Sequence, residues 1–351
     1  MIERKTSVVA QLAHFAHEYL IWLLVGSYAI AAVVPAFGLW VRDVSLGEMN
    51  VFHSRTQVSV PTLLLALLLL NAGMNIRLVA LREWLRNGVA LTSGLVGNFF
   101  IPLLFVLALS QVLRVWHNPE EVQNILIGLA LVASMPIAGS STAWSQNANG
   151  DMTVSLGLVL LTTILSPVTT PLVLRTVALV TSGDYSEDLS ELASYGTNAF
   201  LMLFVLLPSL TGVAIRFLVG ETAINQAKPY LKLFNIVVLL VLSYSNAAVS
   251  LPTAFRHPDI DFLSVTVLIV STLCLVSFAG GWAIARAVSA SREQEPALIF
   301  GLGMNNNGTG LVLASASLAD HPLAMLPIIF YNLVQHLIAG AIDHVRYRAT
   351  E

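Results

Sequence analysis

Apolar runs of about 20 residues, the length that carries a helix across a bilayer, recur ten times in this chain. They cover 18–41, 58–77, 85–109, 122–148, 152–181, 197–219, 228–252, 262–289, 296–319 and 322–345. Lipid offers the backbone no hydrogen-bond partner, so each run has to close its own bonds as a helix. Only 11% of residues are charged, where soluble domains carry roughly 25%. The chain therefore reads as an integral, multi-pass membrane protein, all-α, with no soluble domain and no basic surface for nucleic acid. Its one cysteine, Cys274, excludes an internal disulfide and a cysteine-built metal site. The first 17 residues lack the apolar run and small-residue cleavage site of a removable signal peptide. The first span is expected to act as the targeting signal.

Basic residues set the expected direction. With the N-terminus inside, cytoplasmic segments hold 12 of the 17 Lys and Arg, among them Arg77, Arg82, Arg86, Arg216, Lys228, Lys232, Arg286 and Arg292. Both termini are then cytoplasmic, and an inner, plasma-type membrane is the expected location. Ten spans divide at the acidic linker 182–196, a candidate surface helix, into repeats 1–181 and 197–351. Two five-span halves must face opposite ways, which is the arithmetic of an inverted repeat.

Two spans carry what lipid should exclude. The fourth is interrupted by "PIAGSSTAWSQNANGD" at 136–151 and the ninth by "GMNNNGTG" at 303–310. Each sits fourth in its half, and paired broken spans mark a binding site near the midplane. A break frees carbonyls on one side, suited to a cation, and N–H groups on the other, suited to an anion. Ser140, Ser141, Thr142, Asn306, Asn307 and Thr309 are the candidate substrate ligands. Asp151 and Asp320 end the broken spans as solvated loop carboxylates. His336, the one histidine well inside a span, has two readings: satisfied packing, or a proton-carrying site. Trp144 and the Tyr244/Asn246 region are candidates for a pocket wall or for plain packing. No Asp, Glu, Lys or Arg falls in the middle of a span.

The chain resembles the bile acid:sodium symporter family over nearly all ten spans. The likeness rests on "GLVGNFFIPL" (94–103), on the broken fourth span with "SLGLVLLTTILSPVTTPLVL" (155–174), and on "GLGMNNNGTGLVLAS" with "LPIIFYNLVQHLIAG" (301–315 and 326–340). It implies a core domain in which helices four and nine cross, a panel domain beside it, and Na⁺-driven uptake of an organic anion such as a sterol conjugate or small carboxylate. It also implies cation ligands: Ser141, Thr142 and Ser155 for one Na⁺, and Asn98, Asn305 and the carbonyls of Leu302 and Met304 for another. The hydroxyl position after Ser155 falls on Val159. The acidic residue shared by the family's two sites is Gly301 here, so the amide oxygens stay and the full charge is gone.

The readings are then a secondary transporter, Na⁺-coupled; a Na⁺-independent or proton-linked carrier; and, from other classes, a membrane sensor or a membrane enzyme. An intramembrane enzyme needs a nucleophile–base pair or metal ligands within reach. No such motif occurs, so the chain is not expected to be an enzyme.

Overall fold

The computed structural model describes residues 8–51, 54–76, 87–193, 197–256, 258–318 and 320–348. Arg77, Arg82 and Arg86, which weigh in the expected orientation, lie outside the described residues, as does 194–196 of the acidic linker.

The described chain is mostly helix. After α1 (Val8–Glu18) come α2 (Leu20–Val33) and α3 (Ala36–Asp43), then α4 (Val60–Met74), α5 (Gly88–Val112), α6 (Pro119–Ser134), α7 (Ser141–Asn147) and α8 (Met152–Ala178). The linker holds α9 (Asp184–Glu191), in line with the surface helix expected there. Then follow α10 (Thr197–Val219, with a π-helical stretch at Leu201–Leu206), α11 (Glu221–Arg256), α12 (Ile260–Ala287), α13 (Gln294–Gly303), α14 (Asn307–Ser317) and α15 (Leu326–Ile342).

Among the described residues, six helices are continuous, long and apolar enough to cross a membrane: those of α5, α8, α10, α11, α12 and α15. A seventh forms if Val8–Ala16 and Leu20–Val33, bent by 72°, are taken as one span. The other expected runs are short or interrupted. The first breaks at Val34-Pro35 between α2 and α3, the second is the 15-residue α4, and the fourth and ninth break at their polar segments.

The all-α expectation needs one correction. Between the first two expected spans lies an antiparallel hairpin, β1 (Ser45–Val51) with β2 (Ser54–Ser59), pairing Glu48 with Gln57 and Met49 with Thr56. This segment is too polar to be a span, so its backbone groups pair with each other. Gly47, at φ +127°, takes the irregular step in the register that a side chain would resist.

Packing separates the helices into two groups. α2, α3, α4, α10 and α11 pack chiefly on one another, and α5–α8 with α12, α13 and α15 do likewise; α14 lies between, against α15 and α6 on one side and α11 and α4 on the other. Within the first group, α4 and α10 touch backbone to backbone. A Cβ on Gly73 would sit 2.1 Å from the Ser209 carbonyl oxygen, and one on Gly212 2.0 Å from that of Leu70. Within the second group, Pro167 lacks the N–H that the Thr163 carbonyl would receive in a regular helix. The Ser166 hydroxyl donates to that carbonyl at 2.8 Å instead, so α8 stays continuous.

Candidate functional site

The two broken spans meet. Pro136–Ser140 and Met304–Asn306 pass antiparallel, with Ala138 N–H donating to the Met304 carbonyl (2.9 Å) and Asn306 N–H to the Pro136 carbonyl (2.8 Å). About this contact α13 packs on α7, and α14 touches α6. Each break answers backbone groups freed by the other.

Neighbouring helices answer the rest. From α8, Thr170 Oγ1 donates to the Ser134 carbonyl at 2.7 Å, and Thr162 Oγ1 accepts from Ile137 N–H at 3.1 Å. From α15, Gln335 Oε1 accepts both the Asn305 N–H (3.0 Å) and the Asn307 amide (3.1 Å). Gln335 in turn donates to Asn332 Oδ1, and Asn332 Nδ2 donates to the Tyr28 hydroxyl on α2. A continuous polar chain thus runs from the break in the ninth run, through α15, to the other helix group. Asn306 caps α14, accepting from Thr309 N–H at 3.3 Å. Asp151 likewise caps α8 through Thr153 and Val154. The three consecutive asparagines each have a structural partner.

Beside this contact lies a cavity of about 330 Å³ between the two helix groups. Ser140, Thr142, Asn305, Asn306, Asn307 and His336 line it. Ser141 and Thr309, also expected to hold substrate, are fully buried and do not. Trp144 stacks on Phe300 and Tyr244 donates to the Val34 carbonyl, and neither they nor Asn246 reach the cavity. His336 Nδ1 lies 2.8 Å from the Asn332 carbonyl. A carbonyl only accepts, so Nδ1 carries the hydrogen and Nε2 is the nitrogen left to bind a proton.

The expected cation ligands divide. Asn98 Oδ1, Ser141 Oγ, Ser155 Oγ and Asn305 Oδ1 are buried oxygens without a hydrogen-bond partner. Such groups are costly in lipid unless something meets them. Asn305 presents its oxygen because its Nδ2 is held by the Val132 carbonyl at 3.0 Å. Thr142 Oγ1 is engaged with the Gly139 carbonyl, and the Met304 carbonyl already accepts Ala138 N–H. Asn98 lines a separate 40 Å³ void with Ser134, Pro136 and Thr162. Around Gly301 the environment is apolar. A Cβ there would meet Leu158 Cδ1 at 3.2 Å and Ile137 Cδ1 at 3.8 Å, in a cluster that includes Leu298 and Leu302.

Six polar wall residues were not among the candidates read from the sequence: Asn71, Asn75, Lys232, Asn235, Asn332 and Gln335. Lys232 reads in sequence as part of the basic collar at a span end. The signal that could have placed it is the length of α11, which begins at Glu221 and carries Lys232 three turns into the helix.

The family model described as Sodium Bile acid symporter family matches residues 62–253, more than half of the 351-residue chain. The chain is similar to Uncharacterized sodium-dependent transporter YocS of Bacillus subtilis (strain 168), 21% identical over 340 residues, 95% of this chain and 92% of that protein. It is similar to Uncharacterized protein YbaS of the same organism, 24% identical over 249 residues, 70% of this chain and 78% of that one. It is also similar to the P3 protein of Homo sapiens, 24% identical over 302 residues, 81% of this chain and 58% of that protein.

Proposed function

Because the chain belongs to the sodium bile acid symporter family, we propose that it is a secondary transporter moving an organic anion together with Na⁺ by alternating access. The observation that carries this reading is the meeting of two broken helices at a cavity between two separately packed helix groups. Alternating access needs such a division, a body that rocks against another around a fixed site. In this reading α2, α3, α4, α10 and α11 form the panel and the remaining long helices the core. The short and broken helices complete ten spans in two inverted repeats, 1–181 and 197–351 about the linker 182–196, with cytoplasmic termini in an inner, plasma-type membrane.

A Na⁺ needs about five or six oxygens, like other hard cations. The unpartnered oxygens of Asn98, Ser141, Ser155 and Asn305 support the expected sites, with Thr142 and the carbonyls of Leu302 and Met304 as further ligands. Substrate lies against Ser140, Thr142, Asn306 and Asn307, with Ser141 and Thr309 behind them. The cavity stands at the lower end of the roughly 300–1,000 Å³ of small-molecule sites, which favours a small carboxylate over a sterol conjugate.

One observation favours a second reading, carriage without Na⁺. Leu158 and Ile137 stand where a carboxylate at position 301 would project. Proton linkage through His336, on the cavity wall, would then supply the driving force.

Uptake into proteoliposomes decides, measured at fixed pH with Na⁺ exchanged for choline and then at fixed Na⁺ across a pH step. Loss of uptake in choline is expected. Undiminished uptake would remove Na⁺ from the mechanism, and a pH response that vanishes in His336→Gln would install the proton. Asn306→Leu should abolish flux while the protein stays extractable. A solute bound but never moved would mark a sensor, and a solute altered on contact an enzyme.

A further inference from the structure

Most of the cavity wall is neutral, and it is divided by chemistry. Leucine and isoleucine side chains, among them Leu24, Leu65 and Ile236, cover one part. Asparagines of the broken span and Gln335 cover another. Among the described residues lining it there is no Asp or Glu, and Lys232 and His336 are the two titratable groups.

Lys232 is half-buried and makes no ion pair among the described residues. Its backbone is held in place beside the cavity. Asn71 on α4 donates through Nδ2 to the carbonyl of Leu231 at 3.2 Å, and Asn71 Oδ1 is itself buried without a partner. An ammonium on a half-buried wall costs solvation, and no carboxylate of the wall returns it. A ligand that brings a negative charge returns it.

We infer that Lys232 is the anion anchor of the transport site, pairing with the single charged group of a compact, amphipathic monocarboxylate whose hydrocarbon part lies on Leu24, Leu65 and Ile236. This rests on the transporter reading and adds to it a specificity-determining residue on the panel, opposite the broken helices. It also separates two roles for charge. The carboxylate of the substrate is met by a resident lysine, so substrate binding needs no cation beside it, and any Na⁺ acts at the buried oxygens instead.

The test uses the full-length protein purified in detergent, melted in the presence of the straight-chain acids from acetate to hexanoate and of their uncharged primary amides. Each series is run once in Na⁺ and once in choline. Acids are expected to raise the melting temperature of the wild type and of Lys232→Arg, and amides to leave it unchanged. Lys232→Gln and Lys232→Met should weaken the apparent affinity for the acids by about 10- to 100-fold, the range for a lost hydrogen bond to a charged group. Amides as effective as acids, acids equally effective on Lys232→Gln, or no acid effective on the wild type would each overturn the inference. Should the uncharged variants melt early without ligand, the acid–amide difference in the wild type and in Lys232→Arg still decides. Flux separates the two levels. Lys232-dependent binding without uptake in proteoliposomes would sink the transporter reading and leave the anion site, and uptake indifferent to Lys232 would do the reverse.

Discussion

The side-chain amide of Asn332 donates to the Tyr28 hydroxyl at 2.9 Å, across 304 residues of chain and across the boundary between the two helix groups. A second long-range bond runs from Arg42 Nη2 on α3 to the Ser315 carbonyl near the end of α14, the helix that touches both groups, at 2.7 Å. The Asn332–Tyr28 bond is strained or broken if the groups rock against each other. Tyr28→Phe leaves the Asn332 amide unpaired in a buried position, a cost of about 1–3 kcal/mol. Its melting temperature should fall, which thermal unfolding in detergent would measure. An unchanged melting curve would mean that Asn332 finds another acceptor.

Gln335 holds the break in the ninth run through two donors, Asn305 N–H and Asn307 Nδ2. Gln335→Leu removes both acceptor contacts without changing side-chain length much, and each stranded donor costs about 1–3 kcal/mol. Loss of transport with a clear drop in thermal stability is expected. Full stability in the variant would show that the break is held by its backbone pairing with Pro136 and Ala138 alone.

Thr309 offers the opposite case. Its hydroxyl is buried without a partner, in the first turn of α14. Thr309→Val keeps the shape and removes the unmet oxygen, so stability should hold or rise slightly. Uptake is the informative readout. A fall at constant stability places the hydroxyl in the transport cycle, whereas wild-type flux takes Thr309 out of the site.

Gly301 carries a prediction about the cation. Gly301→Glu places a carboxylate among Leu158, Ile137 and Leu298, where its charge is costly unless a cation joins it. The paired variant Gly301→Glu with Leu158→Ala makes room. Its melting temperature should rise with Na⁺ more steeply than that of the wild type. Equal responses would mean that the Asn98 and Asn305 oxygens are too far from position 301 to share an ion with it.

The six continuous spans were legible because lipid leaves an apolar run of that length no alternative to a helix. The breaks were legible for the complementary reason: asparagines and glycines in such a run need partners. What stayed hidden is pairing over distance. Nothing near Gln335 in the sequence says that it answers Asn305 and Asn307, or that Asn332 reaches Tyr28, since an isolated amide on a helix has many candidate partners. Lys232 was hidden by a rule that is sound on average, under which lysine near a span end faces water. The hairpin at Ser45–Ser59 was hidden because short polar connections carry little periodicity. Of the candidate ligands, Ser140, Thr142, Asn306 and Asn307 reach the cavity. Ser141, next to Thr142 in the first turn of α7, and Thr309, in the first turn of α14, do not, because each residue turns a helix by about 100° and a neighbour in sequence faces elsewhere.

Gly73 and Gly212 have one more use. A side chain at either position would overlap the facing backbone by more than 1 Å of ordinary contact distance, so Gly73→Ala or Gly212→Ala should prevent recovery of folded protein, which size-exclusion chromatography would reveal. Helices locked this closely cannot slide past each other while the rest of the molecule moves. For spectroscopy that makes α4 and α10 a ruler. A pair of labels with one on each should report the same separation in every state, while a label on α4 and another on α12 should report two. The invariant pair then calibrates the moving one within the same sample, and the amplitude of the motion can be read without knowing what the protein carries.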